Sequence, residues 1–168
     1  MKVTFATITM LAAMMMGAAA FAANRSYQFS ASICHPDSNG STVPYLFDQY
    51  GAHATDEDFG FGAFLFCPLP TTDTGTDGTA ISIALEAYNR NPNDAVSCSV
   101  YRTDGSGNIL YSVGIETVAS SGTQFQAPTV FPPTGTGISG YWWALCYIPP
   151  PASAGFSHLV GIHIGAAE

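Results

Sequence analysis

Apolar and polar residues alternate with period two along most of the chain beyond residue 25, and turn residues separate the alternating runs. This is the pattern of half-buried β-strands. Tyr27, Phe29, Ala31 and Ile33 alternate with Gln28, Ser30 and Ser32, which predicts a strand with one apolar face. A shorter strand is expected over Pro44 to Tyr50. In the next run, Phe59 to Cys67, Phe59, Phe61, Ala63 and Leu65 lie on one face and Phe64 and Phe66 on the other, which predicts a central strand buried on both sides. Ile81, Ile83 and Leu85 oppose Ser82, Ala84, Glu86 and Tyr88.

Val96, Cys98 and Val100 oppose Ser97, Ser99 and Tyr101. Asp104-Gly105-Ser106-Gly107-Asn108 follows as a hairpin turn, because Gly and Asn tolerate positive φ. Ile109, Tyr111, Val113 and Ile115 form the return strand. Phe125 to Phe131 is expected as a short strand, Tyr141 to Ile148 as a long one stopped by Pro149-Pro150-Pro151, and His158 to Ile164 as the last. No apolar stripe at helical spacing interrupts the series. Eight to nine strands predict an all-β antiparallel sandwich of jelly-roll or Greek-key type. The Gly/Ser/Thr/Pro-rich stretches 71–79 and 132–140 are then long loops within a single domain.

The first residues do not fit this scheme. One positive charge at Lys2 precedes an apolar run from Val3 to Phe21, and Ala20-Phe21-Ala22 supplies small residues for a signal peptidase. Residues 1–22 are therefore expected to be an export signal, leaving 23–168 as one secreted domain, extracellular or periplasmic. The run is Ala/Met/Thr-rich with a weak flank, unlike a membrane anchor, and no later segment is apolar for long enough to span a bilayer.

The four cysteines, at 34, 67, 98 and 146, all follow the expected cleavage point. In an exported chain an even cysteine count indicates disulfides. Three pairings are open to four cysteines, and the sequence does not separate them; Cys34–Cys67 with Cys98–Cys146 is favoured. Loops of this size give each bridge up to about 4 kcal/mol in the chain-entropy account. The spacing holds no Cys-x-x-Cys pair of the kind that structural zinc uses. The formal net charge is −8, and Lys2 is the only lysine. Nucleic acid and anionic membranes, which need clustered positive charge, are poor partners for such a chain.

The layout resembles a group of small secreted bacterial β-sandwich proteins with disulfides, whose function is unknown. The resemblance rests on Cys34, Tyr50-Gly51, Cys67-Pro68, Arg90-Asn91-Pro92, Ser97-Cys98-Ser99 and Tyr141-Trp142-Trp143-Ala144-Leu145-Cys146 before Pro149-Pro150. It covers nearly all of the chain beyond the leader. It implies a fold and carries no activity or catalytic residues.

Candidate chemistry is sparse. There is no Gly-x-Ser-x-Gly elbow; Gly137-Ile138-Ser139-Gly140 lacks the spacing and precedes a strand. Cys34-His35 would point to opposite faces of a strand, so a disulfide beside a solvent histidine is the simpler reading. Glu86 and Glu116 are the only glutamates on expected strands, and nothing in the sequence brings them together as a glycosidase pair would require. His158 and His163, five apart on one strand, would face opposite ways and not chelate together. Asp56 and Asp58 (with Glu57 between them and His53 close by), together with Asp73 and Asp77, are weak calcium candidates, but neither segment has an Asp-x-Asp-x-Asp-Gly spacing. Asn24-Arg25-Ser26 and Asn39-Gly40-Ser41 match a short, common glycosylation string. No cofactor, catalytic residue or metal is assigned.

The aromatic residues give the sharpest expectation. If Cys98 and Cys146 pair and face the core, Tyr101, Tyr141, Trp143 and Tyr147 share the opposite face, and Trp142 points inward. Flat rings on an exposed sheet can stack on sugar rings. A second arrangement stays open, in which a loop covers this face, since Leu145 lies on it too. The expected function is thus a non-catalytic secreted module that binds an extracellular glycan or protein surface. The alternatives are a structural, self-associating protein and, with less support, a small hydrolase.

Overall fold

The computed structural model describes residues 26–36, 45–55, 62–70, 81–119, 125–133 and 141–166. The expected export signal, Asp56, Asp58, Asp73 and Asp77 lie outside these residues, as do the Phe59 and Phe61 positions and Gly137 to Gly140. Twelve strands in two antiparallel sheets account for most of the described residues. They are β1 (Ser26–Ser30), β2 (His35–Pro36), β3 (Tyr45–Asp48), β4 (Gly51–Ala54), β5 (Ala63–Pro70), β6 (Ile81–Tyr88), β7 (Ser97–Thr103), β8 (Ile109–Glu116), β9 (Phe125–Gln126), β10 (Thr129–Val130), β11 (Tyr141–Ile148) and β12 (His158–Ala166). The seven-stranded sheet runs β10-β6-β12-β4-β3, with β1 also on β12 and β9 also on β6. The five-stranded sheet runs β2-β5-β11-β7-β8. Among the described residues no helix is long and apolar enough to cross a membrane.

Period-two patterning decides which side chains meet between the sheets. Ile81, Ile83, Leu85 and Ala87 of β6 and Leu159, Ile162 and Ile164 of β12 form one wall of the core. Leu65, Cys67 and Leu69, Val96, Cys98 and Val100, and Trp142, Ala144, Cys146 and Ile148 form the other. The disulfides Cys34–Cys67 and Cys98–Cys146 lie within this core. Cys98 and Cys146 are direct cross-strand partners on β7 and β11, so the second bridge fixes the register of the middle of the sheet.

Several expectations change. Twelve strands replace eight or nine: the strand expected over Phe125 to Phe131 is two two-residue strands, β9 and β10, and β2, also two residues long and too short to show a period, and β4 are added. The single strand expected over Pro44 to Tyr50 is half of a hairpin, with β4 as its return. The first strand stops at Ser30, whose hydroxyl accepts the Ser32 N–H and caps a 3-10 turn over Ala31–Ile33; Ile33 is accordingly exposed. β5 is not buried on both faces: Phe64 is 43% exposed, because the five-stranded sheet has only one covered side. On β8 only Ile115 is fully buried, while Ile109 and Leu110 are exposed at the open edge.

The Arg90-Asn91-Pro92 segment has a structural role. Asn89, fully buried after β6, has its side-chain NH2 within reach of Asp94 O at 3.0 Å, Thr117 Oγ1 at 3.1 Å and Val118 O at 3.2 Å. Its Oδ1 accepts from Asn91 N at 3.0 Å and Ser157 Oγ at 2.9 Å. Thr117 Oγ1 in turn accepts Val96 N at 3.1 Å, and Ser157 Oγ accepts Arg90 N at 2.9 Å. The chain ends flanking β6, β7, β8 and β12 are therefore tied across both sheets by one polar hub with its partners satisfied.

Candidate functional site

Three strands of the five-stranded sheet carry aromatic rings on the side away from the core. Cross-strand register sets Trp143 between Pro68 on β5 and Tyr101 on β7, and Tyr147 between Phe64 and Ser97. Tyr141 and Phe64 are exposed, at 67% and 43%, and Trp143, Tyr101, Tyr147 and Phe66 are half-buried. Trp142 faces inward at 3% exposure, near Tyr111, with ring centroids 6.4 Å apart.

The rings do not lie flat on the sheet. Trp143 stacks on Tyr101 at 4.1 Å between centroids and 15° between planes, and on Phe66 at 5.5 Å and 24°. Phe66 meets His35 of β2 at 5.1 Å. Parallel rings spaced at about the inter-strand distance stand upright, like slats across the strands. Both faces of Trp143 are therefore taken by neighbouring rings. Tyr101 ends the ladder: beyond it β8 places only Ser112 opposite, with Gly114 alongside Ser99. Tyr147 packs over Gly62, where an added Cβ would fall 2.3 Å from its ring. Burial, and then the nearby Asp94 carboxylate, push its phenol pKa up.

Next to the ladder lies a shallow cavity of about 390 Å³ over β7 and β8, lined by Ser97, Cys98, Ser99, Gly114, Ile115 and Glu116. Cys98 and Ile115 point their side chains into the core. The groove surface is thus formed by the serine hydroxyls, the Glu116 carboxylate and main-chain groups, on the same sheet face as Tyr101. Small residues on β8 leave this space open, since bulkier ones at 112 and 114 would close it.

Glu86 and Glu116 do not converge. Glu86 lies on the outer side of the other sheet, where its Oε2 accepts from Gln28 Nε2 at 3.1 Å; the body of the sandwich separates it from Glu116. His163 lies on β12 opposite Ala84, and His35 is exposed on β2.

A second cluster joins residues the sequence kept apart. Asp48 Oδ2 lies 3.1 Å from His158 Nε2 and 3.7 Å from His53 Nδ1. His158 and His53 are 5% and 7% exposed. Burial raises the Asp48 carboxyl, but the Tyr50 N–H on Oδ1 at 2.7 Å and the His158 ring outweigh it and hold its pKa below the usual value. Burial, and then the neighbouring His158, lower the His53 pKa against the opposing pull of Asp48. The β3–β4 hairpin creates this group: Gly51, at φ 126°, lets the hairpin meet β12 so closely that a Cβ would lie 2.1 Å from Leu159 O. A strand pattern that ends at Tyr50 hides the hairpin and, with it, the approach of Asp48 to His53.

No family model matches this sequence, and neither does any curated protein. Solved structures give distant likenesses. The C-terminal family 6 carbohydrate-binding module of a marine laminarinase from Zobellia galactanivorans aligns over 84% of this chain and 99% of its own, with TM-score 0.46 and 12% identity. A xylan-binding module of family 15 aligns over 86% of this chain and 98% of its own, with TM-score 0.46 and 10% identity. The enzymatically active domain of a tailspike protein from bacteriophage CBA120 aligns over 84% of this chain and 18% of its own, with TM-score 0.42 and 15% identity. Values this low assign neither a family nor a ligand to this chain, and its site rests on its own residues.

Proposed function

We propose that residues 23–168 form an exported, non-catalytic binding module that holds an extracellular glycan on the outer side of its five-stranded sheet. One observation carries the reading: an aromatic ladder on the solvent side of that sheet ends in Tyr101, beside an open groove of serine hydroxyls and a carboxylate. A sugar ring has an apolar face and a rim of hydroxyls. Tyr101 offers the apolar contact, and Ser97, Ser99, Ser112 and Glu116 offer partners for the rim. Phe66 and Trp143 hold Tyr101 upright, and Tyr141, Phe64 and Tyr147 extend the contact along β11. The two disulfides, which persist in oxidising compartments, support the export of the chain.

The test is retention on a panel of immobilised polysaccharides by the wild type, Tyr101→Ala and Trp143→Ala, with urea unfolding as the control for folding. Loss of one ring contact is expected to weaken retention about tenfold or more in Tyr101→Ala. Trp143→Ala is expected to weaken it less directly, by releasing Tyr101. If folded Tyr101→Ala is retained as well as the wild type on every glycan that holds the wild type, the proposal fails. Exposed Ile109 and Leu110 at the start of edge strand β8 support a second reading, self-association. It predicts concentration-dependent light scattering and no retention on any glycan.

A further inference from the structure

We propose that Asp48, His53 and His158 bind one divalent transition-metal ion of zinc type, joining the β3–β4 hairpin to β12. The site lies on the seven-stranded sheet, and the inference is independent of the aromatic ladder.

The donor atoms Asp48 Oδ2, His53 Nδ1 and His158 Nε2 all lie within 4.8 Å of one another. Zinc takes imidazole nitrogen and carboxylate oxygen at about 2.0–2.2 Å, which sets tetrahedral donors roughly 3.4 Å apart; Asp48 Oδ2 already lies 3.1 Å from His158 Nε2 and 3.7 Å from His53 Nδ1. The decisive observation is His53 Nδ1. This atom is buried, points toward Asp48 and His158, and has no hydrogen-bond partner. A buried polar atom left unsatisfied costs free energy, and coordination would satisfy it. His158 Nε2–H donates to Asp48 Oδ2, so both atoms already face the same point.

The surroundings suit a metal. Tyr50 N–H on the other carboxylate oxygen holds Asp48 in place and keeps Oδ2 turned toward the two imidazoles. Phe156 packs against the His53 ring at 4.8 Å, and Tyr50 against His158 at 5.8 Å, shielding the two imidazoles. Two imidazoles and a single carboxylate select a first-row transition ion over calcium, which prefers six to eight oxygens. Three protein ligands leave a fourth position on the side of the exposed Asp48 and Tyr50, for water or a ligand oxygen. On binding, the hydrated ion gives up water ligands as two nitrogen bonds and one oxygen bond form. A neutral His158 ring coordinates as its Nδ1–H tautomer, so the Nε2 proton passes to solvent while Nδ1 takes one up, and the hydrogen bond to Asp48 is replaced by coordination.

The test is zinc titration of the chelator-stripped, disulfide-intact protein by calorimetry. One ion per chain is expected, with affinity falling at least tenfold in His53→Gln, in His158→Gln and in Asp48→Asn. The other two histidines serve as controls, and His35→Gln and His163→Gln are expected to bind as the wild type does. A measurement on the wild type guards against variants that do not fold. Long-range 1H–15N spectra of the histidine rings should show zinc-dependent shifts at His53 Nδ1 and His158 Nε2, with His35 and His163 unmoved. Unshifted His53 and His158 rings at saturating zinc, binding that only the control variants abolish, or displacement of zinc by equimolar calcium would each overturn the assignment.

Discussion

Asn89→Ala is expected to be among the most damaging single substitutions outside the apolar core. The Asn89 side chain is fully buried and serves groups that lead into four strands of both sheets. Removing it leaves the Asn91 N–H and the Ser157 hydroxyl without their acceptor, and both of these residues are buried. The Asp94 and Val118 carbonyls and Thr117 Oγ1 lose a donor as well. A buried donor left unsatisfied costs about 1–3 kcal/mol, so the two orphaned donors put the loss near 4 kcal/mol. Water entering the vacated space would moderate this. Urea unfolding with the disulfides intact measures it. With a slope of about 2 kcal/mol/M, the midpoint should fall by about 2 M while the slope stays fixed. Ser157→Ala breaks part of the same hub, and its loss should be strongly non-additive with that of Asn89→Ala, by about 0.5–3 kcal/mol in a double-mutant cycle. A loss below about 1 kcal/mol in Asn89→Ala, or additivity with Ser157→Ala, would refute the view that this hub locks the sheet ends together.

Gly51→Ala should destabilise by about 3 kcal/mol or more, since it forces a side chain into positive φ and onto the Leu159 main chain. Gly114→Ala meets nothing within 4 Å, and its midpoint in the same unfolding assay should move by less than the equivalent of about 0.5 kcal/mol. At the β7–β8 turn, the Asn108 side chain and the main-chain N–H groups of Asn108, Ser106 and Gly107 hold the Asp104 carboxyl pKa below its usual value. Because the folded-state value is the lower one, the carboxylate's support for the turn is present above the ordinary carboxylate pKa. It is lost as pH falls through the depressed value. Amide resonances of Ser106 and Asn108 should therefore titrate below the range of an unperturbed aspartate, and Asp104→Ala should abolish that titration.

The strand faces were legible in the residues because burial on one side of a sheet imposes a period of two. Ile81 to Ala87, Val96 to Val100 and Tyr141 to Ile148 could hardly be placed otherwise. Parity from Cys98 and Cys146 was enough to set Tyr101, Trp143 and Tyr147 outward and Trp142 inward. What parity does not contain is the orientation of a ring about its own bonds. Trp143 stands upright because Phe66 and Tyr101 arrive from two other strands and stack on it, which turns an expected flat platform into a ladder with one free end at Tyr101. Phe66 and His35 joined that ladder only once β2 and β5 were paired.

Contacts between distant strands lay still further from the sequence. Asp48 and His158 are 110 residues apart, and no local pattern links them. They meet because Gly51 turns the hairpin against β12, a close approach that depends on an absent side chain. Local sequence thus determined which face of each strand is apolar, since that follows from the geometry of a single strand. Tertiary structure alone decided which outward-facing groups share a site, because register, hairpin docking and ring stacking arise only between strands already packed together.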